Sequence, residues 1–212
     1  MMLLHNQTTP FILNTPVITA NNAWTGAAYN NGTYVIVGGE GSTIYNAASA
    51  YSQDYGQTWT STTTPNECSC ITYGNGKFVA LPFDHTSQIT SYSTNGITWS
   101  SGTMPQPIIW NGIAYAPSLF VAVAKDAGGL ATDIYATSGD GVTWTQRSWT
   151  TQGTSTIAAG SIVYGGGKFV VTSSSTFKTS TDGFTWSSGS LGITNCTSVA
   201  YGNGYYVAVS SG

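Results

Sequence analysis

Ser138-Gly139-Asp140-Gly141-Val142-Thr143-Trp144 is the stretch that decides the fold. Ser180-Thr181-Asp182-Gly183-Phe184-Thr185-Trp186 repeats it almost residue for residue. Ser93-Thr94-Asn95-Gly96-Ile97-Thr98-Trp99 replaces Asp with Asn, and Ser52-Gln53-Asp54-Tyr55-Gly56-Gln57-Thr58-Trp59 carries one extra residue between Asp and Gly. The unit returns about every 40 to 45 residues, the mark of a repeat architecture. Asp-Gly or Asn-Gly between strand-like runs is a strong hairpin signal. Gly accepts the positive φ of the turn, and the Asp or Asn side chain accepts hydrogen bonds from nearby backbone N–H groups. Thr favours the following strand, and Trp anchors it through its large apolar surface.

A second motif precedes each turn. Tyr29 is followed five residues later by Tyr34, Tyr73 by Phe78, Tyr115 by Phe120, Tyr164 by Phe169 and Tyr201 by Tyr206. The middle is Asn-Gly or Gly-Gly in four copies and Pro-Ser in the third, which reads as strand, tight turn, strand. The second strand is apolar at nearly every residue, as in Val35-Ile36-Val37 and Val121-Ala122-Val123. Such a run implies a sheet covered on both faces. Propeller blades are covered in this way by their two neighbours, whereas a sandwich leaves one polar face.

The first motif resembles the Asp-box (BNR) repeat, S-x-D-x-G-x-T-W, of sialidase-like β-propellers. Ser52, Asp54, Gly56 and Trp59 match it in full; Ser93, Asn95, Gly96 and Trp99, then Ser138, Asp140, Gly141 and Trp144, then Ser180, Asp182, Gly183 and Trp186 match a form one residue shorter. The resemblance implies that these are structural turns on the blade periphery. The expected fold is all-β: a five-bladed β-propeller of four-stranded antiparallel blades forming one domain over residues 1–212. The blades are expected at about 19–63, 64–104, 105–152, 153–190 and 191–212. Five inner hairpins face only four outer turns. Residues 1–18 are therefore expected to complete the fifth blade and close the ring, since an incomplete blade bares its strand edges.

Composition excludes several classes. Charged residues make up 6 % of the chain, against about a quarter in ordinary domains. Seven Trp, thirteen Tyr and seven Phe argue against disorder. A net charge of −3 with five Lys and Arg argues against a nucleic-acid partner. No stretch approaches the ~20 apolar residues of a membrane span, so no membrane insertion is expected. Cys68, Cys70 and Cys196 cannot make a closed disulfide set and are expected as buried free thiols. Met1-Met2-Leu3-Leu4 lacks the basic region and apolar core of a signal peptide. Asn6, Asn31 and Asn195 occupy glycosylation sequons that matter only on a secretory route. A surface rich in hydroxyls, amides and aromatics, without a secretion signal, suits a virion protein made in a host cytosol; an extracellular location is the alternative.

The sialidase resemblance raises an enzymatic reading. That family clamps a carboxylate with three Arg side chains, because the guanidinium fork binds it in two places. This chain has one arginine, Arg147, so the triad cannot be assembled and no catalytic residue is carried over. A two-carboxylate glycosidase would have to draw on Glu40, Glu67, Asp84, Asp126, Asp133 and the turn residues Asp54, Asp140 and Asp182. His5 and His85 have no ligand partners at metal-site spacing, and no cofactor is implied. Gly165-Gly166-Gly167-Lys168 is followed by Phe169, where a phosphate loop needs Ser or Thr.

One set of positions invites a binding reading. Trp24, Cys68, Trp110, Ala159 and Cys196 each stand five residues before a leading Tyr, so repeat symmetry puts them on one ring. Trp24 and Trp110 could stack on a sugar or fill the channel mouth as packing. Trp149, outside the repeat, is a further candidate for an exposed contact. The expected function is a non-enzymatic structural or adhesion protein of a phage tail, fibre or capsid surface, with other virion proteins or host-surface glycans as partners. A cellular carbohydrate-binding or scaffold propeller is the second reading, and a degenerate glycosidase the third.

Overall fold

The computed structural model describes residues 22–40, 47–125, 128–150 and 154–211. Four antiparallel four-stranded sheets follow one another along the chain, each in simple sequential order. The first holds β1 (Asn22–Asn30), β2 (Thr33–Glu40), β3 (Ala47–Ser52) and β4 (Thr60–Thr62). The second holds β5 (Cys68–Gly74), β6 (Lys77–Pro82), β7 (Ile89–Ser93) and β8 (Ser100–Thr103). The third is β9 (Ile109–Ala116), β10 (Leu119–Lys125), β11 (Ile134–Ser138) and β12 (Thr145–Ser148). The fourth is β13 (Ser161–Gly165), β14 (Lys168–Thr172), β15 (Thr176–Ser180) and β16 (Ser187–Ser190). A final pair, β17 (Cys196–Gly202) and β18 (Tyr205–Ser210), stands alone as a two-stranded sheet. In each unit the Tyr-x4-aromatic motif forms the first hairpin, and Tyr29 pairs with Tyr34, Tyr73 with Phe78, and Tyr164 with Phe169.

Alternate residues of the inner second strands β6 and β10 serve two different neighbours. On β6, Val79 and Leu81 pack toward the third sheet, while Phe78 and Ala80 pack toward the first. On β10, Phe120 and Ala122 face the second sheet, and Val121 and Val123 face the fourth. This double service explains the unbroken apolar runs: neither face of an inner sheet meets water. Three buried clusters result, one in each junction between consecutive four-stranded sheets. The turn-motif Trp of the later sheet reaches back into each, as Trp99, Trp144 and Trp186 do.

The expected closed ring of five four-stranded blades is corrected here. The described residues form four complete sheets and a pair, and the sheets do not close. Both terminal faces meet solvent. On β18, Val207 is 57 % and Val209 50 % exposed, while the equivalent Val35, Val37, Val79 and Leu81 of inner strands are fully buried. At the other end Tyr29 is 52 % exposed. Apolar side chains that elsewhere form a junction have no facing sheet at these two ends. The closing segment 1–18 assigned from sequence lies outside the described residues.

Candidate functional site

Three of the four turns share one hydrogen-bond pattern. In the last, Asp182 Oδ1 accepts from Phe184 N at 2.8 Å and Thr185 N at 2.7 Å. The Ser180 hydroxyl donates to Asp182 at 2.9 Å and accepts from Gly183 N at 2.8 Å. Asp140 and Ser138 make the same set in the third sheet. Asn95 makes it in the second, with its amide oxygen accepting from Ile97 N and Thr98 N. Asp54 instead bonds the N–H and hydroxyl of Thr58, because Tyr55, at φ 61°, takes up the extra residue. These contacts hold Asp54 and Asp182 at a pKa of about 2; at Asp54 the Thr58 hydroxyl contributes most. At Asp182 burial works in the opposite sense but is outweighed by the Thr185 and Phe184 N–H groups and the Ser180 hydroxyl. A carboxylate so low and so occupied is a turn fastener, poorly matched to proton transfer near neutral pH.

Of the remaining carboxylates, Glu67 and Asp84 line one cleft between the second and third sheets. Asp133 accepts from Thr150 N and from the hydroxyls of Ser148 and Thr150, which pins the loop after β12. Asp126 lies outside the described residues. Arg147 is occupied on the periphery: its Nε donates to Thr137 Oγ1 at 3.1 Å, and its guanidinium lies 5.0 Å from the centre of the Phe184 ring. Among the described residues no three His, Cys, Asp or Glu side chains group as metal ligands. The described Cys68, Cys70 and Cys196 are free thiols, and burial pushes Cys68 up to about 11.

Two of the three candidate tryptophans are corrected. Trp110 is fully buried in the junction between the second and third sheets, where its Nε1 donates to Gln106 O at 3.2 Å. Trp149 is fully buried as well, stacked on Tyr135 with ring centres 4.2 Å apart. Neither ring has a free face for a ligand, because a facing sheet covers each. Trp24 is half-buried on β1, whose outer side has no facing sheet among the described residues. The ring positions thus act mainly as packing, and the residues next to them act as latches. Thr25 donates its hydroxyl to Cys68 O, Ser69 to Trp110 O, and the Asn111 amide donates to Ala159 O and Gly160 O. Each bond crosses from one sheet to the next.

The same end of the second junction opens as a cleft of about 370 Å³, lined by Glu67, Ser69, Phe83, Asp84, His85, Asn111 and Lys125 among others. Phe83 is 54 % exposed. Asp84 Oδ1 accepts from Thr86 N at 2.8 Å and lies 3.5 Å from His85 Nδ1. The Thr86 hydroxyl, followed by the Thr86 N–H and His85, holds the Asp84 carboxyl below its usual range, against burial. One wall is therefore an aromatic plane beside a fixed anion and an imidazole, and the other carries an amide and an ammonium. Sequence reading weighed Asp84 only as one of eight carboxylates and His85 only as a lone histidine, and passed over Phe83 and Lys125. The available signal was that Phe83-Asp84-His85 interrupts the repeat between β6 and β7.

No protein-family model matches the sequence, and no curated protein matches it either. Solved structures do. YCF48 from Cyanidioschyzon merolae superposes with a TM-score of 0.59 at 12 % identity, covering 85 % of this chain and 60 % of that one. YjhT gives 0.58 at 9 % identity, covering 86 % of this chain and 75 % of its own. The computationally designed Ika4 protein gives 0.50 at 9 % identity, covering 82 % of this chain and 94 % of its own. At these identities the likeness concerns the fold alone, and that fold is a β-propeller.

Proposed function

We propose that this chain is a non-enzymatic binding propeller of the Asp-box type. On this proposal it works on a virion surface, in a phage tail, fibre or capsid, and engages host-surface glycans or other virion proteins. The observation that carries the binding role is the cleft between the second and third blades. The half-exposed Phe83 ring offers a flat apolar face for the C–H side of a sugar. Asp84, His85 and Lys125 supply hydrogen-bonding groups around it. The turn carboxylates are fully engaged in backbone contacts, which supports binding over hydrolysis. Asp84 and Lys125 make the contact partly electrostatic, so it should weaken as salt rises. Affinity per site should be modest, and many copies on one particle would raise it through avidity.

A glycan array probed with the purified chain, paired with a general glycosidase assay, tests this. Phe83→Ala is expected to lower glycan retention at least about tenfold, the loss of one stacking contact of about 1.4 kcal/mol, with an unchanged melting temperature. Turnover of any glycoside above a heat-killed control refutes the non-enzymatic role. Glycan retention indifferent to Phe83→Ala moves binding away from this cleft.

A further inference from the structure

The junction between the second and third blades is built from three contacts, each of which recurs in at least one other junction, and the two end faces carry the unmatched halves of all three. The first is an aromatic seat. Tyr115 of the third blade lies over Gly74 of the second, and Tyr201 of the last pair lies over Gly165 of the fourth; a Cβ on either glycine would overlap the ring. Gly202 is the corresponding seat on the last pair, and nothing lies within 4 Å of the place its Cβ would take. Tyr29, the leading Tyr of the first blade, is 52 % exposed.

The second contact caps the second strand. A Cβ on Gly96 would lie 2.5 Å from Val35, one on Gly141 2.6 Å from Val79, and one on Gly183 3.2 Å from Val121. In each case the turn of one blade covers the Val of the blade before it. Gly56, the turn glycine of the first blade, meets only its own Trp59, while Val207 on β18 stands 57 % exposed. The third contact is the hydroxyl latch. Thr25 donates to Val37 O on its own blade and to Cys68 O on the next. Ser69 does the same toward Leu81 O and Trp110 O. Among the described residues Thr197 makes only the own-blade half, to Val209 O at 3.3 Å. The acceptor it lacks is, by position, the Trp24 carbonyl.

We propose that the β17–β18 face of one copy docks on the first-blade face of a second copy, head to tail. The new junction repeats the internal ones: Tyr29 on Gly202, the Gly56 turn over Val207, and Thr197 to the Trp24 carbonyl. A second copy is the occupant because one arc leaves its own two faces apart and in solvent. The inter-blade angle that separates them is set by four junctions, three of them filled by buried clusters, that do not bend cheaply. The contact is heterologous, so copies join into a closed ring or a run of arcs.

The test uses the full chain and two cysteine variants. In the Tyr201–Gly165 junction the Tyr Cβ lies 2.7 Å from the place of a glycine Cβ, so paired cysteines at the matching end positions reach the ~3.5–4.5 Å of a disulfide once the two faces part by about 1 Å. Tyr29→Cys and Gly202→Cys are purified separately, mixed under mild oxidation and run on non-reducing gels, with each variant alone as control for the native thiols. A covalent dimer is expected in the mixture, at least about tenfold above either variant alone. The double variant is run in parallel. Cross-linking confined to single chains of it would show that the ring closes on itself, and would overturn the proposal, as would no cross-link in either sample. Gly202→Leu fills the open seat, and its Cβ has no atom of its own chain within 4 Å, so it should fold normally by circular dichroism. Its self-association by sedimentation should weaken at least about tenfold; association equal to wild type overturns the proposal.

Discussion

Asp182→Ala removes one acceptor atom that serves three donors. Asp182 Oδ1 receives the N–H groups of Phe184 and Thr185 and the Ser180 hydroxyl. Hydrogen bonds to a charged group contribute about 1.5–3 kcal/mol each in a protected setting. This turn is largely solvent-exposed, so water replaces part of what is lost. The comparable loss of a capping carboxylate is about 1–2 kcal/mol, and that is the expected cost. For a domain of this size the melting temperature should fall by about 2–8 °C. Trp186 is a convenient reporter, since it ends the same turn and is only 4 % exposed. Asp182→Asn supplies the control, because Asn95 already makes the equivalent bonds through a neutral oxygen. It should cost less than about half as much as the alanine change.

Acid sharpens the test. Asp182 titrates at about 2 in the folded chain, below the ~3.9 of an unfolded aspartate. Its contribution is therefore present in full above the unfolded value and is lost as pH falls through about 2. The wild-type and Asp182→Asn melting curves should converge over that interval and stay parallel above pH 5. An Asp182→Ala protein that melts with the wild type, or an Asp182→Asn protein as weak as the alanine variant, would refute the turn-fastener reasoning.

Two further changes follow from the packing. Gly183→Ala places a Cβ at φ 77° and 2.5 Å from Leu119, so it should destabilise by at least about 2 kcal/mol, read as a lower denaturant midpoint at unchanged slope. Lys178 is 2 % exposed with its ammonium on Ser188 Oγ and 5.4 Å from the Trp149 ring, and burial lowers its pKa. The folded state disfavours the charged form, so wild-type stability should climb as pH rises from the lowered folded value toward the unfolded one. Lys178→Met should flatten that climb and raise stability near neutral pH by about 1 kcal/mol, measured by urea unfolding at stepped pH.

The unit was legible in the sequence because its constraints are local. A turn that needs positive φ selects Gly183 and its counterparts, and a turn that needs an internal acceptor selects Asp182, Asp140 or Asn95. Strand pairing then follows from the flanking apolar runs. What the string of residues could not show is which face of a unit finds a neighbour. Trp24 and Trp110 hold the same repeat position, yet one is half-buried and the other sealed. The difference lies in the facing sheet, present for Trp110 and absent among the described residues for Trp24. The cleft escaped for the opposite reason: Phe83, Asp84 and His85 lie off the repeat, so no periodicity flagged them. Ring closure depends on a third quantity, the angle between successive sheets. That angle comes from the volumes packed in each junction, such as Trp110 in one and the Trp149–Trp186–Tyr135 group in the next. Bulky junctions of this kind space the blades apart. A period read along the chain counts units, but the number of units in a full turn is decided by what is packed between them.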